Sequence, residues 1–199
     1  INVPPITTEE APKLKPFLDL SLNLGKLGGQ IIESNIKKIN IIFKGEVSLL
    51  NTKPLVSTIL SGILSNRMES VNLINSLTVA KSKNIDVITS YQDEAVNHDS
   101  EIFIEIVTDN KNFSYAGAIF ANKPRIISIS SMHIEAEISK SMLYISNDDK
   151  PGFIGDLGTL LGSKKVNIAT FQLGRTGQGE AVSMLELDQP ISDELISLL

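Results

Sequence analysis

Cysteine is absent from this 199-residue chain, which excludes disulfides, thiolate zinc sites and a thiol nucleophile together. Histidine is scarce, with only His98 and His133 present. They fall in different expected elements and lack any His-x-x-x-His or similar ligand spacing, so no metal site is expected. His98, in Val96-Asn97-His98-Asp99, reads as a loop residue, and His133 as the solvent-facing position of a strand. No run approaches the ~18 apolar residues of a membrane span and no signal peptide is visible, so no membrane partner is expected. A basic excess is missing too: 18 Lys and Arg stand against 23 Asp and Glu, a net charge of −5. A nucleic-acid surface would need a basic stripe, so no nucleic-acid partner is expected. What is present, 42% hydrophobic and 21% charged residues, describes an ordinary globular protein of one large or two small domains. Such a chain without cysteine fits a cytoplasmic location. Because it opens on Ile1 rather than Met, it is expected to derive from something longer.

The first region alternates helix and strand signals. Pro4-Pro5 and Thr7-Thr8-Glu9-Glu10 read as a loop and helix start, with Pro12 and Pro16 delaying a regular helix until about Pro16. Phe17, Leu20, Leu24, Leu27 and Ile31 then follow a 3-4-3-4 spacing that predicts one apolar seam. Gly25, Gly28 and Gly29 lie along this helix without the GxGxxG spacing and after no strand, so they read as close-packing positions rather than a dinucleotide loop. Ile36 to Val47 reads as a long strand or bent hairpin. Thr52 is the expected cap of a second helix with Leu55, Ile59 and Ile63 on its buried face. A short helix is expected near 77–83 and a strand over 85–91. Four strand-like runs follow, 101–108, 113–120, 125–130 and 132–138, with Asp109-Asn110-Lys111-Asn112 and Ala121-Asn122-Lys123-Pro124 as turns. This is an α+β region ending in an antiparallel meander, and a polar joint at Ser139-Lys140-Ser141 closes it.

The second region reads strand 142–146, helix 151–165, strand 168–175, turn Thr176-Gly177-Gln178-Gly179, strand 180–187, and a helix capped by Ser192. That order, βαββα, is a ferredoxin-like βαββαβ lacking its last strand. The stretch Asn147-Asp148-Asp149-Lys150-Pro151-Gly152-Phe153 joins its first strand to its first helix. Unpaired amides and the helix dipole face outward at such a point, which suits an anion. Asp149 sets a carboxylate beside it, and Asn167 offers a donor and an acceptor on one side chain. Amides for a carboxylate and an Asp for an ammonium together suit a free amino acid. Equally, Asp148 or Asp149 can simply cap the helix and Asn167 can be a turn residue. Gly155, Gly158 and Gly162 share one stripe beside Ile154, Leu157 and Leu161. Since each interior glycine costs a helix ~0.8–1 kcal/mol relative to Ala, something, a ligand or a second copy of the helix, is expected to approach there.

The motif Asn147 to Gly155, followed by Gly158-Thr159-Leu160-Leu161-Gly162, Val166-Asn167-Ile168-Ala169, Gln172-Leu173-Gly174-Arg175 and Gly179-Glu180-Ala181, resembles the ACT domain, a small amino-acid-sensing module. It resembles in particular that of long-form D-3-phosphoglycerate dehydrogenases. Ile1-Asn2-Val3-Pro4, Leu14-Lys15-Pro16-Phe17-Leu18, Gly45-Glu46-Val47, Asn51-Thr52-Lys53-Pro54-Leu55 and Val71-Asn72-Leu73 resemble the catalytic tail and the intervening, allosteric substrate-binding domain of the same family. The resemblance implies a tail or linker over 1–16, an intervening domain over 17–139 and an ACT domain over 140–199. It implies no catalytic residues here, and no cofactor in this fragment, with NAD bound elsewhere in the parent oxidoreductase of serine synthesis. It further implies L-serine held by Asn147, Asp149, Pro151, Gly152 and Asn167 (Asn147 standing where His or Tyr is often found), and self-association through ACT domains as a homodimer or tetramer. An anion site in the intervening domain would use Arg125 and Lys53. The competing expectations are the regulatory region of an iron–sulfur L-serine dehydratase and an interaction module that senses no amino acid.

Overall fold

The structure, a computed structural model, describes residues 10–94, 98–176 and 179–199. The expectations placed on residues 1–9 and on Gly177-Gln178 lie outside the described residues. The elements run α1 (Ala11–Ile31), β1 (Ile36–Gly45), α2 (Lys53–Ser65), α3 (Ser76–Ser82), β2 (Asp86–Gln92), β3 (Ser100–Thr108), β4 (Asn112–Phe120) and β5 (Lys123–Ile129). They continue with β6 (Met132–Glu137), β7 (Met142–Asp148), α4 (Phe153–Ser163), β8 (Ile168–Arg175), β9 (Glu180–Leu187) and α5 (Asp193–Ile196). The fold is α+β: a six-stranded mixed sheet in the order β2-β1-β3-β4-β5-β6, and a separate three-stranded antiparallel sheet, β7-β9-β8. Two compact units divide the chain, Ile1–Ser131 and Met132–Leu199, so the division falls at the β5–β6 turn, ahead of the polar joint at Ser139-Lys140-Ser141.

In the first unit β1 and β3 alternate in burial, and Ile39, Ile41, Phe43, Ile102, Ile104 and Ile106 lie fully or almost fully buried on one face. That two-residue period presents a continuous aliphatic face to α1 and α2. The expected antiparallel arrangement holds except for β2, which runs parallel to β1, because α2 and α3 carry the chain back across the sheet between them. Gly45, at φ 70° and ψ −147°, turns the chain out of β1 where a side chain would be strained. α1 starts at Ala11, ahead of the expected point, with Pro16 inside it. Pro16 lacks the proton that would have bonded the Pro12 carbonyl one turn back, so α1 forgoes that one bond.

The buried stripe of α1 keeps Leu20 and Leu24 of the expected seam, leaves Phe17, Leu27 and Ile31 half-buried, and otherwise runs through Leu14, Ser21, Gly25, Gly28 and Gly29. The glycines therefore do pack closely. A Cβ on Gly25 would stand 2.5 Å from the Ile59 carbonyl oxygen, and one on Gly29 would stand 2.8 Å from those of Gly62 and Ile63. Thr52 precedes α2 as expected but does not cap it; its hydroxyl instead shares a 3.0 Å hydrogen bond with the Tyr91 hydroxyl. Fully buried Tyr115 lies under Gly28, and that burial pushes its phenol far above the ordinary tyrosine range, the Gly28 backbone opposing the shift slightly.

In the second unit Leu157 and Leu161 of α4 pack on Leu143, Leu185 and Leu187 of the sheet, with Val166 and Leu195 completing the core. Ile154 is the exception to the expected stripe and is 52% exposed. Ser192 caps α5 as expected, its hydroxyl accepting from the Leu195 amide at 3.3 Å.

Candidate functional site

The expected site begins where β7 gives way to α4. Gly152 takes φ 100° and ψ −30°, a left-handed turn that favours glycine and aims the chain into the helix. No side chain caps α4 there, so neither Asp148 nor Asp149 takes the simple capping role. Asp148 pairs instead with Lys150 at 2.7 Å on the open surface. The hydrogen bond and charge of Lys150 hold the Asp148 carboxyl below its usual range, and Asp148 raises Lys150 in return. Asp149 turns the other way. Its Oδ2 accepts from Arg175 Nε at 2.7 Å and lies 2.6 Å from Nη2, while its amide donates to the Gly179 carbonyl at 2.8 Å. The carboxylate is 23% exposed and the guanidinium 62%.

Strand register explains this meeting. Asn147 pairs with Ala181 across β7–β9, and Ala181 pairs with Arg175 across β9–β8. Directly opposed residues share a face, and this row follows the α4-covered series that contains Leu143, Leu185 and Phe171. Asn147 and Arg175 thus flank the small Ala181 at the end of the sheet, and the Asp149–Arg175 pair reaches across that end. Asn147 Nδ2 donates to the Asp148 carbonyl at 2.6 Å, whereas its buried Oδ1 has no hydrogen-bond partner. One row further in, Ser183 is fully buried and its hydroxyl is likewise unpartnered.

Asn147, Asp149, Pro151 and Gly152 are therefore brought together, and Asn167 is not. Asn167 precedes β8, at the end of the sheet where Ile168 pairs with Leu187. Its Nδ2 donates to Asp188 Oδ2 at 2.7 Å, and the Asp188 amide donates to the Asn167 carbonyl at 3.2 Å. At ~3.3 Å per residue, the length of β9 separates the two ends by about 23 Å. An open cleft of about 300 Å³, lined by Lys164, Val166, Pro190, Ile191 and Leu195 among others, also lies at the Asn167 end.

The anion pair is divided as well. Lys53 is exposed at the start of α2, beside Thr52 and so near Tyr91 on β2. Arg125 lies on β5 opposite Ala118, with its guanidinium 5.2 Å from the centre of the Phe120 ring. β1, β3 and β4 stand between those strands, a separation of about 19 Å at ~4.8 Å per strand. Nor do the α1 glycines offer a dinucleotide cradle, since each is occupied by α2 or by Tyr115.

Sequence reasoning missed Arg175 as a site residue and treated it only as part of a motif. The signal was there: counting outward from the Gly-rich turn sets Arg175 opposite Ala181, and Ala181 opposite the Asn147 that precedes Asp149.

Comparison with known proteins adds the following. Residues 13–130 match the model of the D-3-phosphoglycerate dehydrogenase intervening domain. A D-3-phosphoglycerate dehydrogenase of Methanocaldococcus jannaschii is 33% identical over 98% of this chain and 38% of its own length. The Synechocystis protein of that name is 33% identical over 99% of the chain and 36% of its length. The Bacillus subtilis one is 30% identical over all of the chain and 38% of its length. The chain thus spans little more than a third of these relatives.

Proposed function

The chain belongs to the D-3-phosphoglycerate dehydrogenase intervening-domain family, and on that premise we propose that its second unit is an ACT-type sensor of L-serine. In this reading the chain regulates a D-3-phosphoglycerate dehydrogenase whose chemistry and NAD belong to another part of the enzyme. The observation that carries it is the end of the second sheet. An uncapped helix start, a carboxylate and an unpartnered amide oxygen lie within one short stretch, Asn147 to Gly152. The serine ammonium meets Asp149, whose charge supplies the strong half of the contact. The serine carboxylate meets the amides at the start of α4, where the helix dipole favours negative charge.

Asn167 joins this site from a second copy. β8 is an edge of its sheet, and two β8 edges pairing antiparallel about a two-fold axis set the start of each against the end of the other. Asn167 of one chain then lies beside Asn147 and Asp149 of its partner, so effector binding and assembly into a homodimer or tetramer are linked. The glycine stripe of α4, with nothing within 4 Å of a Cβ at Gly155, Gly158 or Gly162, leaves that flank open for the same approach.

Calorimetric titration of L-serine into the chain, at concentrations that preserve the dimer, tests the reading. Asp149→Ala is expected to weaken binding by ~1.5–3 kcal/mol, the range for a hydrogen bond to a charged group. An unchanged dissociation constant in that variant would remove Asp149 from the site, and no heat from the unaltered chain would remove the site.

A further inference from the structure

We propose that Arg175 is the residue that makes this site select a zwitterion, by holding the carboxylate of the bound amino acid. The inference rests on the reading of this end of the sheet as an amino-acid site, and it deepens that reading. The amides at the start of α4 share the ligand's carboxylate but hold it weakly by themselves, because Asp156 occupies the first turn and offsets part of the positive end of the helix dipole. Lys150 is paired with Asp148. That leaves the Arg175 guanidinium, held at the sheet end by Asp149 and flanking Ala181 on the same face as Asn147.

Both Arg175 contacts fall on one carboxylate oxygen, Asp149 Oδ2, so the planar fork still has donors directed elsewhere. The arrangement is a ready-made pair of opposite charges about the size of an α-amino acid's own. A zwitterion entering between them places its carboxylate on Arg175 and its ammonium on Asp149, exchanging one ion pair for two without leaving a net charge in the site. A ligand with only one of those charges leaves the other protein group uncompensated. Asn147 Oδ1, buried and unpartnered, supplies polar capacity at the same end for the rest of a small polar ligand.

The test compares L-serine with L-serinamide, which keeps the ammonium and hydroxymethyl groups but lacks the carboxylate. The chain carrying native Arg175 is expected to prefer serine. Arg175→Gln is expected to lose about ten- to a hundredfold in serine affinity, as for a lost hydrogen bond to a charged group. Serinamide affinity is expected to hold within about twofold in the same variant, so the preference collapses. Arg175→Lys, which keeps the charge without the fork, is expected to recover part of it. An Arg175→Gln chain that retains the serine preference overturns the assignment. One that loses both ligands equally also overturns it, because Arg175 would then act only by positioning Asp149. A native chain silent to both ligands removes the underlying site instead, so the two failures are distinct.

Discussion

Replacing Gly62 by Ala tests whether the first unit is built on direct backbone contact between α1 and α2. A Cβ at Gly62 would lie 2.7 Å from the Gly25 carbonyl carbon, 2.8 Å from its Cα and 2.8 Å from the Lys26 nitrogen. All three are backbone atoms, so no side-chain rotation relieves the overlap. Carbon atoms in contact sit about 3.5–4.0 Å apart, so the helices must separate by roughly 1 Å. Overpacking of this kind costs about 1–3 kcal/mol, and a 1 Å gap forfeits about a quarter to a half of each affected dispersion contact. Alanine's helix propensity returns ~0.8–1 kcal/mol, which leaves a net loss of up to about 2 kcal/mol.

Urea unfolding followed by far-UV circular dichroism reads this as a midpoint lowered by up to about 2 M, given slopes of ~1–3 kcal/mol per molar. Faster amide exchange confined to α1 and α2 would place the effect. Gly155→Ala, measured at concentrations where the chain is monomeric, is the control, since nothing of its own chain lies within 4 Å of its Cβ. Propensity acts alone there and stabilises by ~0.8–1 kcal/mol. If Gly62→Ala stabilised the protein to the same degree as Gly155→Ala, the close-contact argument would be refuted.

Tyr115 supplies a pH test. Its folded-state pKa is raised by burial, so its contribution is fully present below the unfolded value near ~10 and declines as pH rises beyond it, by ~1.4 kcal/mol per pH unit. Urea midpoints falling above about pH 10 in the native chain, and falling less steeply in Tyr115→Phe, are expected; equal slopes would contradict the burial account. The second test concerns the two-copy site: Asp149→Ala and Asn167→Ala, each defective in serine binding, are expected to regain about a quarter of the native sites when mixed and allowed to exchange, because half the dimers become mixed and each holds one intact site. No recovery on mixing would mean that the two residues do not complete one site across copies.

The strand positions were largely legible because β1, β3 and β4 carry β-branched and aromatic residues in a two-residue period bounded by polar turns. The turn expected over Ala121-Asn122-Lys123-Pro124 narrows to Ala121 and Asn122, which both take positive φ, while Lys123 and Pro124 open β5. Helix faces were harder to read. In α1 the apolar spacing of Phe17, Leu20, Leu24, Leu27 and Ile31 suggested a seam of large residues. The actual stripe centres on glycines, whose value is in how near α2 can come and not in their own hydrophobicity. Thr52 fails as a cap because a tertiary partner, Tyr91, competes for its hydroxyl. The parallel pairing of β2 with β1 depends on where α2 and α3 return the chain, which no local pattern records. For the site, the stretch Asn147 to Gly152 was readable from turn chemistry, whereas Arg175 required the register of two strand pairs at once.

The position of Asn167 follows from topology alone. β7 and β8 are each antiparallel to β9 and therefore parallel to one another, with α4 returning the chain between them. In any such strand–helix–strand unit the end of the first strand and the start of the second lie at opposite ends of the sheet. Asp149 ends the first and Asn167 starts the second, so one chain cannot bring them together without unfolding α4. Their proximity across the helix in sequence is misleading on this point. In the proposed dimer, a two-fold axis beside the β8 edge would reverse the direction of the partner's strand and remove the conflict, giving two equivalent sites per dimer. Asn167 need not abandon Asp188 to take part, since its Nδ2 makes that bond and the oxygen of the same amide remains able to accept from an ammonium. A ligand bound at such a site touches both copies and so favours whichever arrangement closes the β8 edges, by no more than the difference in its affinity for the closed and open forms. In the proposed arrangement, binding of an effector would be inseparable from the pairing of two copies.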